Sequence, residues 1–271
     1  MVKYGMYMQK KSYADYLTPL LINAPAAWAL IRANEIRALD RVDFKHPILD
    51  VGCGDGLVAK VLLSKRNEKF DWGIDLSERE VKKAQKLRIY KKCKVANVYN
   101  LPFKDRSFST VFSNSVIEHI PNLDQALIEM SRVTKKGGRI IITVPSSYLA
   151  GYLIGTSIMG SWYGKFFNKL FKHYNIYNHK QWEKIFRKHS FKLISHYYYH
   201  TPKMIKAHEV LSYISLPIHL AKPFIGYWPV LPKLRKTFIV PWLKKLLLRF
   251  YLDDTKKDEG GSLLLVAEKN K

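Results

Sequence analysis

Continuous apolar runs and helical stripes of apolar residues follow one another along this chain. The run Ile140–Val144 suits a strand that is buried on both faces. Residues 78–94 instead place apolar side chains at helical spacing, with lysine and arginine on the opposite face. A second helix is predicted from Pro121 to the glycine pair at 137–138, which would end it. Buried strands separated by helices predict an α/β domain.

Both ends of the chain add further elements to this pattern. Before the first strand, residues 26–41 suit an amphipathic helix, with Arg32, Glu35 and Arg37 predicted to point outward. Near the other end, residues 261–267 have the apolar composition of a strand that would close the sheet. The chain between the last two predicted strands is therefore interpreted as an insertion.

A glycine-rich turn follows the strand predicted at residues 48–51. Glycine adopts positive φ without strain and lets the backbone approach a ligand closely, and Gly52, Gly54 and Gly56 alternate through this turn. The helix that begins next adds unpaired backbone N–H groups at the same point. About twenty residues further on, a second predicted strand ends at Asp75, an acid that can accept both hydroxyls of a ribose. Together these features indicate a nucleotide-binding site.

Over residues 46–146 the order of motifs resembles the class I S-adenosylmethionine-dependent methyltransferases, in the small-molecule and lipid methyltransferase branch. The motifs are Asp50–Gly56, Asp75, Val95–Asn97 with Leu101–Phe103, Phe108–His119 and Gly137–Ile142. The resemblance implies a Rossmann-like, doubly wound seven-stranded sheet and S-adenosyl-L-methionine as cofactor. It also implies that residues 1–45 form an N-terminal helical lid over the cofactor. A helix that only covers the sheet is the alternative, and it is the preferred interpretation for residues 26–41.

The resemblance also assigns cofactor contacts. Asp50 would order the loop and meet the methionine ammonium directly or through water, and Asp75 would bind the ribose. Asp75 could instead cap a helix, but Ser77 fits the cap better and would leave Asp75 free. Asn97 stands where the family commonly has Asp; its oxygen can still accept the adenine amino hydrogen but carries no charge. The full predicted set is Asp50, Gly52, Cys53, Gly54, Gly56, Asp75, Leu76, Asn97, Val98, Ser113 and Asn114.

His119 and Glu118 follow the fourth predicted strand and are the candidate catalytic residues. A sulfonium methyl needs little acid–base help beyond proximity and removal of the acceptor's proton. For a hydroxyl acceptor, His119 is the first candidate base and Glu118 its orienter; the alternative is that His119 caps a helix or packs beside the cofactor. An amine or carbon acceptor would need no base. No metal site is predicted, because Cys53 and Cys93 lack metal-ligand spacing.

The chain carries a formal net charge of +24, which implies a polyanionic neighbour. In the insertion, apolar residues including Trp242 occupy one helical arc, and Lys244, Lys245 and Arg249 occupy the other. This arrangement is typical of a helix that lies in a membrane surface. The alternative is a cap that packs on its own domain or on a second subunit. Prolines within Val210–Pro232 argue against a single spanning helix.

The predicted organisation has four parts. Residues 1–45 form the lid, 46–200 and 260–271 the methyltransferase core with a substrate-side cap at 147–180, and 201–259 the apolar and basic insertion. The predicted function is methyl transfer to an amphipathic, lipid or lipid-linked acceptor near an anionic membrane. The alternative is a nucleic acid or a soluble small molecule as acceptor, with the insertion serving substrate binding or dimerisation. Sparse cysteine fits a reducing cytoplasm, with peripheral attachment to the inner face of the membrane.

Overall fold

The computed structural model describes residues 14–66, 68–225, 235–255 and 258–270, with side chains given for all of these except 216–225. Its seven strands form one sheet in the order β3-β2-β1-β4-β5-β7-β6. Strand β7 is the reversed strand: it pairs antiparallel with β5 and β6, whereas the other described strand pairs are parallel. The predicted doubly wound seven-stranded sheet is therefore confirmed. The strands are β1 Ile48–Val51, β2 Phe70–Asp75, β3 Tyr90–Val95, β4 Phe108–Asn114, β5 Thr134–Pro145, β6 Phe191–Tyr199 and β7 Ser262–Lys269.

Helices cover both faces of the sheet, each over its own layer of buried apolar side chains. One face packs against α1, α2, α3 and the two long C-terminal helices, and the other against α5 and α9. The helices are α1 Leu17–Asn23, α2 Ala26–Leu39, α3 Leu57–Leu63, α4 Glu78–Lys86, α5 Leu123–Val133, α6 Leu149–Tyr152, α7 Ile154–Met159, α8 Ser161–Leu170, α9 His179–Lys188, α10 Pro202–Ile225 and α11 Val240–Tyr251. A 3₁₀ turn, Ile117–His119, follows β4, and a π-helical turn, Arg235–Ile239, precedes α11.

Two predicted helix boundaries were wrong. The helix expected over residues 78–94 ends at Lys86, because Arg88 adopts a left-handed conformation (φ 56°) and Tyr90 already belongs to β3. The helix expected to run to the glycine pair ends at Val133, and both glycines lie inside β5. In each case the chain turns within a few residues from a helix into a parallel strand.

Helix α2 was predicted to be amphipathic, with three charged residues facing solvent. The structure contradicts this: Glu35 and Arg37 are buried and Arg32 is half-buried. The cause is the layer of α1, α10 and α11, which covers the side of α2 that faces away from the sheet. Arg37 meets Asp254 at 3.1 Å, and Glu35 takes part in a network described below. Charged residues that would mark a solvent face in an isolated helix here form buried pairs.

The segment between β6 and β7 contains α10 and α11. Helix α11 packs against α1, with Leu247 and Tyr251 buried and Trp242 exposed over 64% of its surface. Lys244, predicted to face a membrane, meets Asp15 at 2.5 Å. Within the described part of the chain, no helix combines the length and apolarity needed to cross a membrane. The predicted apolar run at 210–232 extends into residues 226–234, which lie outside the described residues.

Candidate active site

The turn between β1 and α3 requires glycine at several positions. Gly52, Gly54 and Gly56 have φ values of 79°, 54° and 80°. The Gly52 and Cys53 amides both donate to the Ile74 carbonyl, at 2.8 and 2.9 Å, which holds the turn against the end of β2. A Cβ on Gly52 would lie 2.4 Å from a methyl of Val116. The turn therefore leaves an open backbone surface that a larger residue would obstruct.

Asp50 lies beneath this turn and is buried. One of its carboxylate oxygens accepts a hydrogen bond from the Tyr90 hydroxyl at 2.6 Å, and the other has no hydrogen-bond partner among the described residues. Burial raises the pKa of Asp50 to about 7, because little compensates for the lost hydration. Asp50 lines a cleft of about 190 Å³ together with Trp28, Arg32 and the glycine turn.

Asp75 lies at the end of β2, as predicted, but its carboxylate is not free. One oxygen accepts from the Gly54 amide and the other from the Ser77 amide, both at 2.9 Å. Ser77 is the N-cap of α4, as the sequence suggested. A carboxylate oxygen can accept more than one hydrogen bond, and Asp75 is half-buried, so it can still accept hydroxyl groups. Asp75 thus fixes the glycine turn as well as presenting acceptors.

The predicted adenine contacts lie around the ends of β2 and β3. Leu76 is exposed over 73% of its surface, which leaves an apolar side chain available to a flat ring. The Asn97 side-chain oxygen accepts from the Tyr99 amide at 3.0 Å, and Val98 is half-buried beside it. Asn97 therefore orders its own turn, and one of its lone pairs is already engaged.

At the end of β4 the two predicted residues use their side chains inside the protein. The buried Ser113 hydroxyl donates to the Val51 carbonyl at 3.0 Å, which ties β4 to β1. Asn114 accepts from the Thr143 hydroxyl at 3.0 Å and donates to Glu35 at 3.2 Å. The contact of their backbone carbonyls with the cofactor, which the resemblance implies, stays a prediction.

A second, larger cavity adjoins the cleft. Its volume is about 490 Å³, and it shares Trp28, Arg32 and Ser115 with the cleft. Its wall is mostly apolar and comes from α2, the segment at 145–173, α10 and the start of β7. The apolar lining residues are Ala27, Trp28, Ile31, Pro145, Leu149, Leu153, Phe167, Phe171 and Ile205.

A buried ionic network forms one side of this cavity around Glu35. Its carboxylate accepts from Arg32 at 2.6 Å and from the side chains of Asn114, Ser115 and Tyr199 at 3.2, 2.8 and 3.1 Å. Burial alone would raise the pKa of Glu35, but Arg32 and the hydrogen bonds outweigh it and hold the pKa below its usual range. Helix α2 is thereby joined to the ends of β4 and β6.

Glu118 and His119, the predicted catalytic pair, occupy different environments. Glu118 is buried in the cavity wall, and its Oε2 has no hydrogen-bond partner among the described residues. Burial raises its pKa to about 8. The His119 side chain is 45% exposed, and its Nε2 lies 3.8 Å from the nearer Glu118 oxygen. That separation is too long for a hydrogen bond, although it is within ion-pair distance, and the orienting role of Glu118 stays a prediction.

Sequence reasoning missed Trp28, Arg32 and Glu35, because residues 26–41 were interpreted as a helix without ligand contacts. It also missed Tyr90, which was assigned to the helix before β3. The i, i+3 spacing of Arg32 and Glu35 is common on exposed helix faces, so it carries no sign of burial. The spacing of Trp28 one turn before Arg32 was an overlooked signal, because it allows a cation–π contact on one helix face. In the structure the Arg32 guanidinium carbon lies 5.7 Å from the Trp28 ring centroid.

Comparison with known proteins agrees with this architecture. Residues 49–142 match a family model described as a methyltransferase domain. An uncharacterized protein of Methanocaldococcus jannaschii is 30% identical over 193 residues, which are 70% of this chain and 72% of that protein. The methyltransferase GfsG of Streptomyces halstedii is 30% identical over 146 residues, 51% of each chain. The chain belongs to the class I S-adenosylmethionine-dependent methyltransferases.

A solved structure supports the fold of this methyltransferase along most of its length. The S-adenosylmethionine-dependent methyltransferase of Thermotoga maritima superposes with a TM-score of 0.55 at 18% identity, over 88% of this chain and 89% of that one. The chain spans about half the length of most curated relatives that it matches.

The family cofactor is S-adenosyl-L-methionine, and the cleft has the features that it requires. The glycine turn gives close backbone approach, Asp50 offers an unpartnered buried oxygen, Asp75 offers acceptors and Leu76 an exposed apolar surface. A cationic ammonium would supply the partner that the Asp50 oxygen lacks. The residue-by-residue assignments remain predictions.

Proposed function

We propose that this chain transfers the methyl group of S-adenosyl-L-methionine to an amphipathic acceptor whose apolar body occupies the cavity of about 490 Å³. The observation that best supports this proposal is that the mostly apolar cavity shares Trp28, Arg32 and Ser115 with the cofactor cleft. Its volume falls in the range of about 300–1,000 Å³ that is usual for small-molecule sites. A nucleic-acid strand would be expected to meet a basic groove rather than a mostly apolar cavity.

The chain's own contribution to this reaction is position and exclusion of water. The bound cofactor supplies an electrophilic methyl, which reacts by in-line displacement. The apolar wall orients the acceptor and keeps water out, which raises the effective concentration of the nucleophile. Arg32 is held by Glu35 and by the Trp28 ring, so it forms a fixed edge between the cleft and the cavity. Among the described residues of the cavity wall, Glu118 is an acid with one oxygen that has no hydrogen-bond partner.

The acceptor is proposed to come from an anionic membrane surface. Helix α8 supports this, because Trp162, Phe166 and Leu170 repeat every four residues and expose 62%, 46% and 62% of their surfaces. Exposed Lys165 and Lys169 flank this stripe. Phe167, on the other side of the same helix, lines the cavity. An apolar stripe with basic flanks suits the headgroup region of a bilayer.

The proposed function is tested by incubating the protein with S-adenosyl-L-methionine that carries a labelled methyl and with matched lipid and aqueous extracts. Label in an apolar product of the lipid extract is the expected result. Label in RNA or in a water-soluble product would contradict the lipid part of the proposal. Calorimetry must show cofactor binding, and its absence would remove the methyl-transfer proposal as a whole.

Attachment is tested by flotation with phosphatidylglycerol vesicles across a salt series. We expect Trp162→Ser with Leu170→Ser to reduce flotation at low salt, because two interfacial side chains are lost. Ile128→Ser on α5 is the matched control, since Ile128 is 50% exposed but lies on a helix that packs on the sheet, away from the cap. Equal flotation of all variants would show that α8 does not contact the bilayer.

A further inference from the structure

We propose that the cavity selects an amine: the acceptor's nitrogen pairs with Glu118, which takes up the proton that this nitrogen must lose before methyl transfer. This inference rests on the proposed function. It replaces the predicted pairing of roles, in which His119 is the base and Glu118 its orienter.

Glu118 is held in place by the backbone on both sides. It lies in the 3₁₀ turn after β4, and its carbonyl accepts from the amides of Tyr174 and Asn175 at 2.7 and 3.3 Å. The Asn175 side chain donates to the carbonyls of Ile117 and Ile120, at 2.8 and 2.7 Å, and so clamps the turn. Glu118 exposes only 3% of its surface, and one of its carboxylate oxygens has no hydrogen-bond partner in the described part of the chain. Such a group costs free energy until a ligand supplies its missing partner.

The charges around the cavity indicate which chemical class of ligand would supply the missing partner of Glu118. Arg32 and Glu35 on α2 neutralise each other at 2.6 Å. Burial lowers the pKa of His173 on the cap to about 4 and that of His200 after β6 to about 3, and it also lowers the pKa of His119. His208 on α10 also faces the cavity, where its Nδ1 contacts the Ala27 carbonyl at 3.0 Å. Glu118 is thus left as the carboxylate without a paired cation in the described wall.

A protonated amine satisfies this carboxylate as both hydrogen-bond donor and counter-charge. One N–H proton then passes to the Glu118 carboxylate, which frees the nitrogen lone pair. That pair forms the new N–CH₃ bond, while the electrons of the S–CH₃ bond stay on sulfur. The products are a methylated ammonium, the neutral thioether and protonated Glu118, which returns its proton to solvent. An anionic ligand would place a second negative charge beside Glu118, and Arg32 in the described wall already has its charge balanced by Glu35.

The test measures binding of three ligands with the same indole body: tryptamine, tryptophol and indole-3-propionate. Calorimetry on the full chain at pH 8.5 should show tryptamine binding at least tenfold more tightly than the other two. The preference should shrink at pH 6.5, where Glu118 is protonated, while an alkylammonium stays charged at both pH values. Glu118→Gln should remove the preference, and Glu118→Asp should retain part of it.

Glu78→Gln is the matched control, because Glu78 lies on α4 and is 70% exposed. It should leave the preference unchanged. Equal binding of the three ligands to the wild type, or a preference that survives Glu118→Gln in a variant with an unchanged melting curve, would overturn the proposal. Cofactor binding measured in the same samples separates this outcome from failure of methyl transfer itself, because it does not depend on the acceptor.

Discussion

The cofactor cleft and the acceptor cavity adjoin each other, yet they are assembled in different ways. The cleft takes most of its parts from a contiguous turn and the neighbouring strand ends, between Asp50 and Val116. The cavity combines α2 with the cap and α10, both of which follow α2 by more than a hundred residues. The cleft relies on backbone geometry and the cavity on buried side-chain charges. A local pattern can encode the first arrangement, whereas the second exists only after distant segments have packed.

The largest expected effect concerns the charges of the acceptor side. Glu35→Ala should lower the free energy of unfolding by about 3–5 kcal/mol, because half-buried Arg32 and the Ser115 and Tyr199 hydroxyls would all lose their acceptor. Urea denaturation measures this change. Glu78→Ala is the control and should change stability little, since its ion pair with Lys82 is exposed. A small effect of Glu35→Ala would mean that the network contributes little to stability and that buried charge does not distinguish the cavity from the cleft.

On the cofactor side, Gly52→Ala should destabilise the protein by about 2–4 kcal/mol, through a strained positive φ and a clash with Val116. Gly54→Ala shares the positive φ but would meet no atom within 4 Å, so it should cost less. Adding Val116→Ala should recover part of the loss in the Gly52 variant. The same loss in both glycine variants would show that close packing of the turn is unimportant.

Asp75→Ala should weaken cofactor binding by about 1–3 kcal/mol, since two hydroxyls would lose their charged acceptor. Calorimetry with S-adenosyl-L-methionine gives the value. Asp124→Ala, an exposed residue of α5, serves as the control. Because Asp75 also holds the Gly54 amide, the melting temperature should be recorded with each variant. Unchanged affinity would remove Asp75 from the site.

The last prediction for the cofactor side is a pH dependence at Asp50. Its pKa is about 7 in the folded protein and near 3.8 when unfolded, so the folded state holds an extra proton between these values. The contribution of Asp50 to the free energy of unfolding is therefore most favourable below pH 4 and is lost as the pH rises through 7. Relative to Asp50→Asn, the wild type should lose at least about 1.4 kcal/mol, the equivalent of one pKa unit. Parallel stability curves between pH 4 and 8 would contradict this.

Prediction from sequence followed the same division. The glycine turn, Asp75 and the Ser77 cap were all found, because each depends on residues a few positions apart. Arg32 and Glu35 were placed on the wrong face, since hydrophobic periodicity registers only the exposure that a lone helix would have. Tyr90 was assigned to a helix because the left-handed turn at Arg88 has no glycine to announce it. The position of Lys244 beside Asp15 likewise depends on contact between the two ends of the chain.

Because α10 and α11 cover α2, its charged residues become buried only late in synthesis on the ribosome. Helix α2 emerges early, but the α10 residues that complete the cavity wall emerge after position 201, and α11, which covers α2, later still. A nascent chain can complete the glycine turn and its neighbouring strands while Glu35 and Arg37 still face water. Until α10 and α11 are synthesised, these charged side chains would keep the uncovered side of α2 hydrated. We therefore expect the residues that become buried partners in the finished protein to lower the aggregation tendency of the unfinished one.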